Sequence, residues 1–530
     1  MSALPPREAA GLTVAHATPD EAEVLAVALD QVRRFLAREV DADAIDREAR
    51  IPPATVGAAA RAGLFGLTIP GEYGGAGLSL KATCRVIEEL ARGDRSVAIM
   101  AGLHAGLGSR PLVELGAPAL KDRYLPAMAA GERVASFAAT EAGAGSDLAA
   151  VRTTGTIEGD AVRLVGEKSY VTNGGFAGVF TVLARTPGLG GARAWSLVCV
   201  PREAPGVLVG PEEHKLGIRG SSTVTVRFDD VRVPRDHLVG EVGRGLDHAH
   251  RALAWGRTIL SAGCVGTARA ALDATVTHVA SRRQFGRPIG AFGATQGHVA
   301  DMAARLYAME SLVREVGEAE ATGAPIDRTS SVAKVFCSEA AFEACDAAVQ
   351  LHGALGFIEP AGVARLLRDC RITRIFEGAN DVLLVRAGVA LVTSLDPAPP
   401  PLGSRVTGEL AGAAEVCDAL AARLREAVEA ARRAYGVRAV HAQVLLQRLA
   451  RAEVCLTAAR AAVLRAWSSG ESRDVVLAGR AVEALAREGV RHVEDVARAA
   501  EDAARAEAVC GLFYRVEAAP RGAREEVETA

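Results

Sequence analysis

Residues 162–174 read VRLVGEKSYVTNG. β-branched and aromatic residues are packed into a short run that closes on Asn-Gly, the pattern of a strand entering a tight turn. Three further runs of the same kind follow: VFTVLART (179–186), AWSLVCVPRE (194–203) and STVTVRFDDVRVP (222–234). Gly and Pro clusters at 187–192, 205–206 and 217–220 separate them. The spacing predicts a small antiparallel β-domain over residues 136–240. An alternating βαβ pattern is absent, and no G-x-G-x-x-G follows a strand, which argues against a doubly wound dinucleotide fold.

On both sides of this block the period changes. Val24, Leu25, Ala28, Leu29, Val32 and Leu36 recur at helical spacing, and the Ala/Leu/Arg/Glu-rich texture continues to about residue 130. It is interrupted by GLFGLTIPGEYGGAG (63–77), a structured loop by its Gly and Pro density. Helical periodicity returns over 241–395. LDPAPPPLGS (395–404) then stops it with four prolines, and a further helical stretch begins at 405. The expected fold is mainly α with a central β-domain. Its parts are an N-terminal helical domain (1–135), the β-domain (136–240), a four-helix-bundle-like domain (241–395), a proline-rich linker (396–404) and an additional helical domain (405–530) ending in a frayed tail.

Composition narrows the chemistry. The 530 residues are 49% hydrophobic and 24% charged, with a net charge of −3. There is no basic field to hold nucleic acid or an anionic membrane. Nine cysteines stand singly, without C-x-x-C or zinc-type spacing, and read as small buried hydrophobes in a reducing compartment. No signal-peptide pattern opens the sequence, and its apolar runs are too short to span a bilayer. The expected location is the cytoplasm, without membrane association.

Three segments stand out as places for chemistry. SFAATEAGAGSD (136–147) is a strand running into a Gly-rich loop that offers Thr140, Ser146 and backbone amides to a ligand. KSYVTNGG (168–175) places Tyr170 and Thr172 on one face of a strand. RIFEGAND (374–381) sets one carboxylate, Glu377, between an aromatic residue and a glycine. Each alone also fits an ordinary connection, hairpin or cap. His104 and His352, in apolar runs, read as packed core histidines, and Arg365, Arg368, Arg371 and Arg374 as a solvated or interface stripe.

Taken in order with GLFGLTIPGEYGG, FDDVRVPRDHLVGEVGRG, SRRQFGRPIGAFGATQ and QLHGALGF, these segments make residues 20–395 resemble the acyl-CoA dehydrogenase family. The segment QVLLQRLARAEVCLTAARAAVLRAWSSGE (443–471) is similar to the second helical domain of the very-long-chain branch. The resemblance implies FAD-dependent α,β-dehydrogenation of fatty acyl-CoA thioesters, long-chain by that branch, with electrons passing to an electron-transfer flavoprotein. It implies a homodimer, because the extra domain covers the face through which other members form tetramers.

The resemblance also assigns roles. Glu377 is the base, Phe376 lines its pocket and Gly378 gives the substrate clearance. Phe137, Thr140 and Ser146 hold the flavin, with Ser146 also near CoA. Tyr170, where a Trp is usual, lies at the flavin edge, and Thr172 donates toward its N5 region. Arg282 and Phe285 clamp the pyrophosphate of the neighbouring subunit's FAD. Gln296, Gln350 and Gly353 belong to the same cross-subunit region, and Asn380 follows the catalytic turn. Arg257 in AWGR lines the thioester. The small residues Gly102, Ala105, Gly106 and Gly108 suit a deep acyl channel. Two other readings stay open: an acyl-CoA oxidase or other O₂-reactive flavin enzyme on this scaffold, and a non-catalytic member.

Overall fold

The computed structural model describes residues 19–187, 194–394 and 399–501. The N-terminal eighteen residues, part of the proline-rich linker, Cys510 and the tail lie outside them. The chain divides into two compact units, one of residues 1–302 with 312–378, the other of residues 303–311 with 379–530.

The first unit opens with α1 (Pro19–Glu39), α2 (Ala42–Glu48) and α3 (Pro53–Arg61), followed by α4 (Leu80–Gly93) and α5 (Arg95–Leu103). Local chemistry fixes where these helices begin. Asp41, Ser79 and Asp94 each accept a backbone N–H of the first turn of α2, α4 and α5. Beyond α5 the chain makes a π-helical turn, His104–Gly108. Then come α6 (Arg110–Leu115) and α7 (Pro118–Ala129). His104 is fully buried there and bridges two segments: its Nε2 faces the Phe65 carbonyl at 2.9 Å, and its Nδ1 accepts the Ala135 N–H at 2.8 Å. Burial pushes its pKa down to about 4, so it is a neutral core histidine.

The β-domain contains β1 (Val134–Ala138), β2 (Thr154–Glu158), β3 (Ala161–Thr172) and β4 (Ala177–Arg185). β5 (Trp195–Pro201), β6 (Val207–Glu212), β7 (Thr223–Pro234) and β8 (Leu238–Val239) complete it. The sheet order is β6-β7-β3-β2-β4-β5-β8, with β1 paired to β4. Most pairs are antiparallel, but β1 and β2 meet β4 in parallel. Val162, Leu164, Val226, Phe228 and Val231 fill the core on one side of the sheet. β3 carries an irregularity between Lys168 and Val171, and Tyr170 within it has φ +56°. The strict alternation that would put Tyr170 and Thr172 on one face is broken there. Tyr170 is 65% exposed and Thr172 half-buried.

α8 (Gly245–Ser281) is about 55 Å long at the α-helical rise, and buried on every side over 252–268. A short hairpin of β9 (Arg283–Gln284) and β10 (Arg287–Pro288) follows, then α9 (Gly293–Ala321), α10 (Asp327–His352) and α11 (Val363–Arg371). The arginine stripe is not solvated. Arg365 pairs with Asp94 at 3.3 Å, Arg368 with Asp46 and Glu359, and Arg374 with Glu339. The stripe therefore ties the end of this unit to acidic residues of its own helices. In the second unit α12 (Asn380–Thr393), α13 (Ala411–Tyr435), α14 (Gln443–Ser469) and α15 (Ser472–Glu501) pack around Leu420, Leu424, Leu446, Leu449 and Val463. Arg465 pairs with Glu310 at 2.9 Å and Arg305 with Glu488 at 3.1 Å. No helix of the described residues is long and apolar enough to cross a membrane. The eight described cysteines are buried.

One buried ion pair shapes the loop after β1. Lys168 has no exposed surface, and its Nζ donates to the Ala139 carbonyl at 3.0 Å and to Glu141 Oε1 at 2.8 Å. Glu141 also accepts the N–H groups of Arg152 and Thr153 at 2.7 and 2.9 Å. Burial opposes ionisation of Glu141, yet these donors hold its carboxyl below the usual range. Glu141→Gln leaves the Lys168 ammonium buried without a counter-charge. Urea unfolding is expected to show a loss of about 3 kcal/mol; a loss below about 1 kcal/mol would mean that the pair does not hold the loop.

Candidate active site

RIFEGAND forms the turn between α11 and α12. Glu377 takes φ +56° and Gly378 φ +102°. Gly378 adopts this half of backbone space without cost, but a glutamate there is rare and strained because its Cβ crowds the chain. Tyr170 and Phe285, two other residues singled out from the sequence, also have positive φ, +56° and +50°.

The strained turn aims Glu377 inward. Ile375 before it is exposed and Phe376, like Glu377 itself, is half-buried. The closing surface comes from α8: a methyl group on Gly256 would stand 2.6 Å from Glu377 Oε2 and 2.8 Å from a Leu107 methyl. Only a glycine leaves the carboxyl that room. Oε2 is sealed from solvent and has no hydrogen-bond partner among the described residues. Burial raises the carboxyl to about 7, against the opposing pull of Arg257, Lys334 and Arg95.

Arg257 lies behind the turn. It is buried, its Nε donates to the Glu377 carbonyl at 2.9 Å, and its second arm reaches Ser331 Oγ at 3.4 Å. From α10, Lys334 Nζ donates to the Gly378 carbonyl at 2.8 Å. From α5, Arg95 is buried with an arm 3.4 Å from the Leu260 carbonyl. Gly256, Lys334 and Arg95 carry no motif of their own in the sequence. The one available signal is a charged residue inside an otherwise apolar helical run, as in SVAKVF (331–336).

The glycines of the expected acyl channel have a different neighbour. Methyl groups on Gly102 and Gly106 would meet Ile259 at 3.0 and 2.9 Å, and one on Gly108 would meet Ala135 at 2.8 Å. Gly102 and Gly106 thus admit the Ile259 side chain of α8. Gly106 sits between Ile259 and Gly256.

The remaining residues form two groups. At one end of the sheet, Ser136 Oγ donates to the Thr172 carbonyl at 2.6 Å and the Ser169 N–H to the Thr140 carbonyl at 2.9 Å. Phe137, Thr140 and Thr172 are half-buried beside exposed Tyr170, and Ser146 is exposed on the adjoining loop. The second group lies where α8 and α10 end: His278 and His352 stack at 4.2 Å, bringing Arg282 and Phe285 to the same end as Gln350 and Gly353. All four are exposed, Phe285 by 93%. Gln296 is exposed and donates to the Gly290 carbonyl at 3.1 Å. Asn380 is buried at the start of α12, in the second unit. Among the described residues no group of three or more His, Cys, Asp or Glu is placed to hold a metal. Because Gly256 abuts the carboxyl, Gly256→Ala is expected to fold yet lower kcat about a hundredfold, the effect of misplacing a reactive group by about an ångström. Turnover at the wild-type rate would show that the carboxyl needs no such clearance.

Three family models match in sequence order: the N-terminal domain of acyl-CoA dehydrogenases over 23–132, the middle domain over 136–231 and the C-terminal domain over 243–390. The bovine very long-chain specific acyl-CoA dehydrogenase is 37% identical over 71% of this chain, which spans 58% of the bovine protein. The Mycobacterium tuberculosis protein named probable acyl-CoA dehydrogenase FadE25 is 39% identical over 66% of this chain and 90% of its own length. The solved structure of an acyl-CoA dehydrogenase complexed with FAD from Bacillus anthracis superposes with a TM-score of 0.80 at 29% identity, covering 92% of this chain and 90% of that one. The chain belongs to the acyl-CoA dehydrogenase family.

Proposed function

We propose that this chain dehydrogenates fatty acyl-CoA thioesters between Cα and Cβ, with FAD as cofactor and Glu377 as the base. The observation that carries the reading is the Glu377 carboxyl, whose Oε2 is closed off from water over Gly256 and which burial raises to about 7. A carboxylate in bulk water is a weak base toward a C–H bond; one pushed up by burial is a better match. Glu377 takes the α-proton on its carboxylate, while Arg257 keeps the backbone of the turn fixed through the reaction.

The residues at the sheet end suit the flavin. An aromatic ring held at positive φ stands beside half-buried Thr140 and Thr172, whose hydroxyls can donate or accept. Phe137, Thr140, Ser146, Tyr170 and Thr172 would hold it there. Bound FAD supplies the acceptor for the β-hydride. Arg282, Phe285, Gln296, Gln350 and Gly353 would serve the FAD of a second subunit, in keeping with their exposure on one chain, and Asn380 would belong with the cofactor-binding residues near the flavin. This makes a homodimer the working assembly. Exposed Tyr170 suits docking of an electron-transfer flavoprotein, and the cytoplasm is the proposed location.

Long-chain acyl groups are the substrates favoured by similarity to the very-long-chain relative. Gly102 and Gly106 lend this no support, since Ile259 occupies the space beside them. The depth of the site turns on that side chain.

The test is anaerobic flavin bleaching with a panel of acyl-CoA chain lengths, for wild type and Glu377→Gln. Bleaching is expected for the wild type and a loss of at least a thousandfold in rate for the variant, within the range for removing a general base. Equal rates would remove Glu377 from the chemistry; fast reoxidation by O₂ would identify an oxidase instead. Since only the ionised carboxyl accepts a proton, kcat/KM should fall as pH drops below about 7. A flat profile from pH 5 to 8 would contradict this. Ile259→Ala should shift the kcat/KM ratio toward longer chains by about tenfold, the value of a small change in an apolar pocket. An unchanged ratio would place the chain end elsewhere.

A further inference from the structure

Two buried cations hold adjacent carbonyls of the catalytic turn: Arg257 that of Glu377 at 2.9 Å and Lys334 that of Gly378 at 2.8 Å. Lys334 has no exposed surface, and α10, which carries it, packs along α8. An ammonium without solvent is expensive, and lysine is among the residues least often fully buried. Burial lowers its pKa to about 8. A packing role alone would be better met by Leu or Met, which fill similar space without the desolvation cost.

What the ammonium adds is a strong donor at a point where the backbone is strained. Glu377 and Gly378 both sit at positive φ, and such a turn persists only where its surroundings over-determine it. The Glu377 carbonyl lies in the Glu377–Gly378 peptide plane and the Gly378 carbonyl in the next one, so holding both fixes the two planes about Gly378 and with them the end of the turn that carries the glutamate. Charge-assisted hydrogen bonds to both are stronger than neutral ones. We infer that Lys334 is a positioning residue for the reaction, holding through the Gly378 carbonyl the left-handed turn that aims the Glu377 carboxyl across Gly256.

This rests on Glu377 being the base. Lys334 also acts on the carboxyl through space. The charged groups facing Glu377 are Arg257 from α8, Lys334 from α10 and Arg95 from α5, and all three favour its ionised form. Removing one cation raises the carboxyl pKa, so the acid limb of the pH profile must move to higher pH. The limb reports the charge of Lys334, and the recovery of kcat by a neutral donor at this position reports its hydrogen bond to the Gly378 carbonyl.

The experiment compares Lys334→Met and Lys334→Gln with wild type as FAD-loaded enzyme, using the acyl-CoA that the panel identifies as best. For Lys334→Met, kcat is expected to fall about a hundredfold, KM to stay within about threefold, and the acid limb to move up by about one pH unit. Lys334→Gln keeps a donor but no charge: kcat should recover in part while the acid limb stays displaced. Wild-type kcat and an unmoved acid limb in a folded Lys334→Met enzyme would overturn the assignment. If Lys334→Met does not fold, the same result in Lys334→Gln would overturn it. Glu377→Gln separates the two readings. If that variant is inactive while the Lys334 variants match wild type, only the positioning role fails; if it is active, the base assignment itself fails.

Discussion

Sealing one carboxyl oxygen of Glu377 from water without a hydrogen-bond partner costs several kcal/mol, more if it is charged. Much of the first unit can be understood as what makes that cost tolerable. α8 supplies Gly256, which leaves the carboxyl space, and Arg257, which grips its backbone. α10 supplies Lys334 and α5 supplies Arg95. Three helices that share a buried interface thus each direct a cation toward one turn.

The fold was readable because its strands are short, β-branched and separated by Gly and Pro. β3, β4, β5 and β7 each lie within two or three residues of the runs VRLVGEKSYVTNG, VFTVLART, AWSLVCVPRE and STVTVRFDDVRVP. β2 and β6 escaped notice for a physical reason. They are five and six residues long, mostly half-exposed, and are held by the ladders of their neighbours β3 and β7. Alternation also misled at Tyr170, where an irregular step in β3 re-aims the side chain.

For the site, the sequence could point to Glu377 because an acid between an aromatic residue and a glycine is odd in itself. It could not point to Gly256, Arg95 or Lys334. Their significance comes from residues far away in the chain: 121 positions separate Gly256 from Glu377, and 43 separate Lys334 from it. Read locally, a lysine in SVAKVF is one polar residue in a helix, and a glycine in AWGR is a small residue in another. The arginine stripe left two readings open, a solvated face and an interface. Its three-residue spacing looks like a solvated face, yet Arg365 and Arg368 keep only 14% and 15% of their side-chain surface because acidic residues of α2 and the α5 cap lie opposite.

For Glu377 to act as the base proposed above, its surroundings have to balance two demands. Burial alone would push the carboxyl far up, leaving it protonated and useless as a base at neutral pH. Strong direct ion pairing would push it down, making it ionised but too weak to take a proton from carbon. The structure reaches the middle by attaching Arg257 and Lys334 to backbone carbonyls and not to the carboxylate itself. Their hydrogen bonds are spent on geometry, and only their through-space field acts on the carboxyl. Oε2 therefore remains without a donor, and a proton arriving there displaces no existing bond. A cation bonded directly to Oε2 would have to be displaced at every turnover, which is why holding the turn from behind is the arrangement compatible with a base.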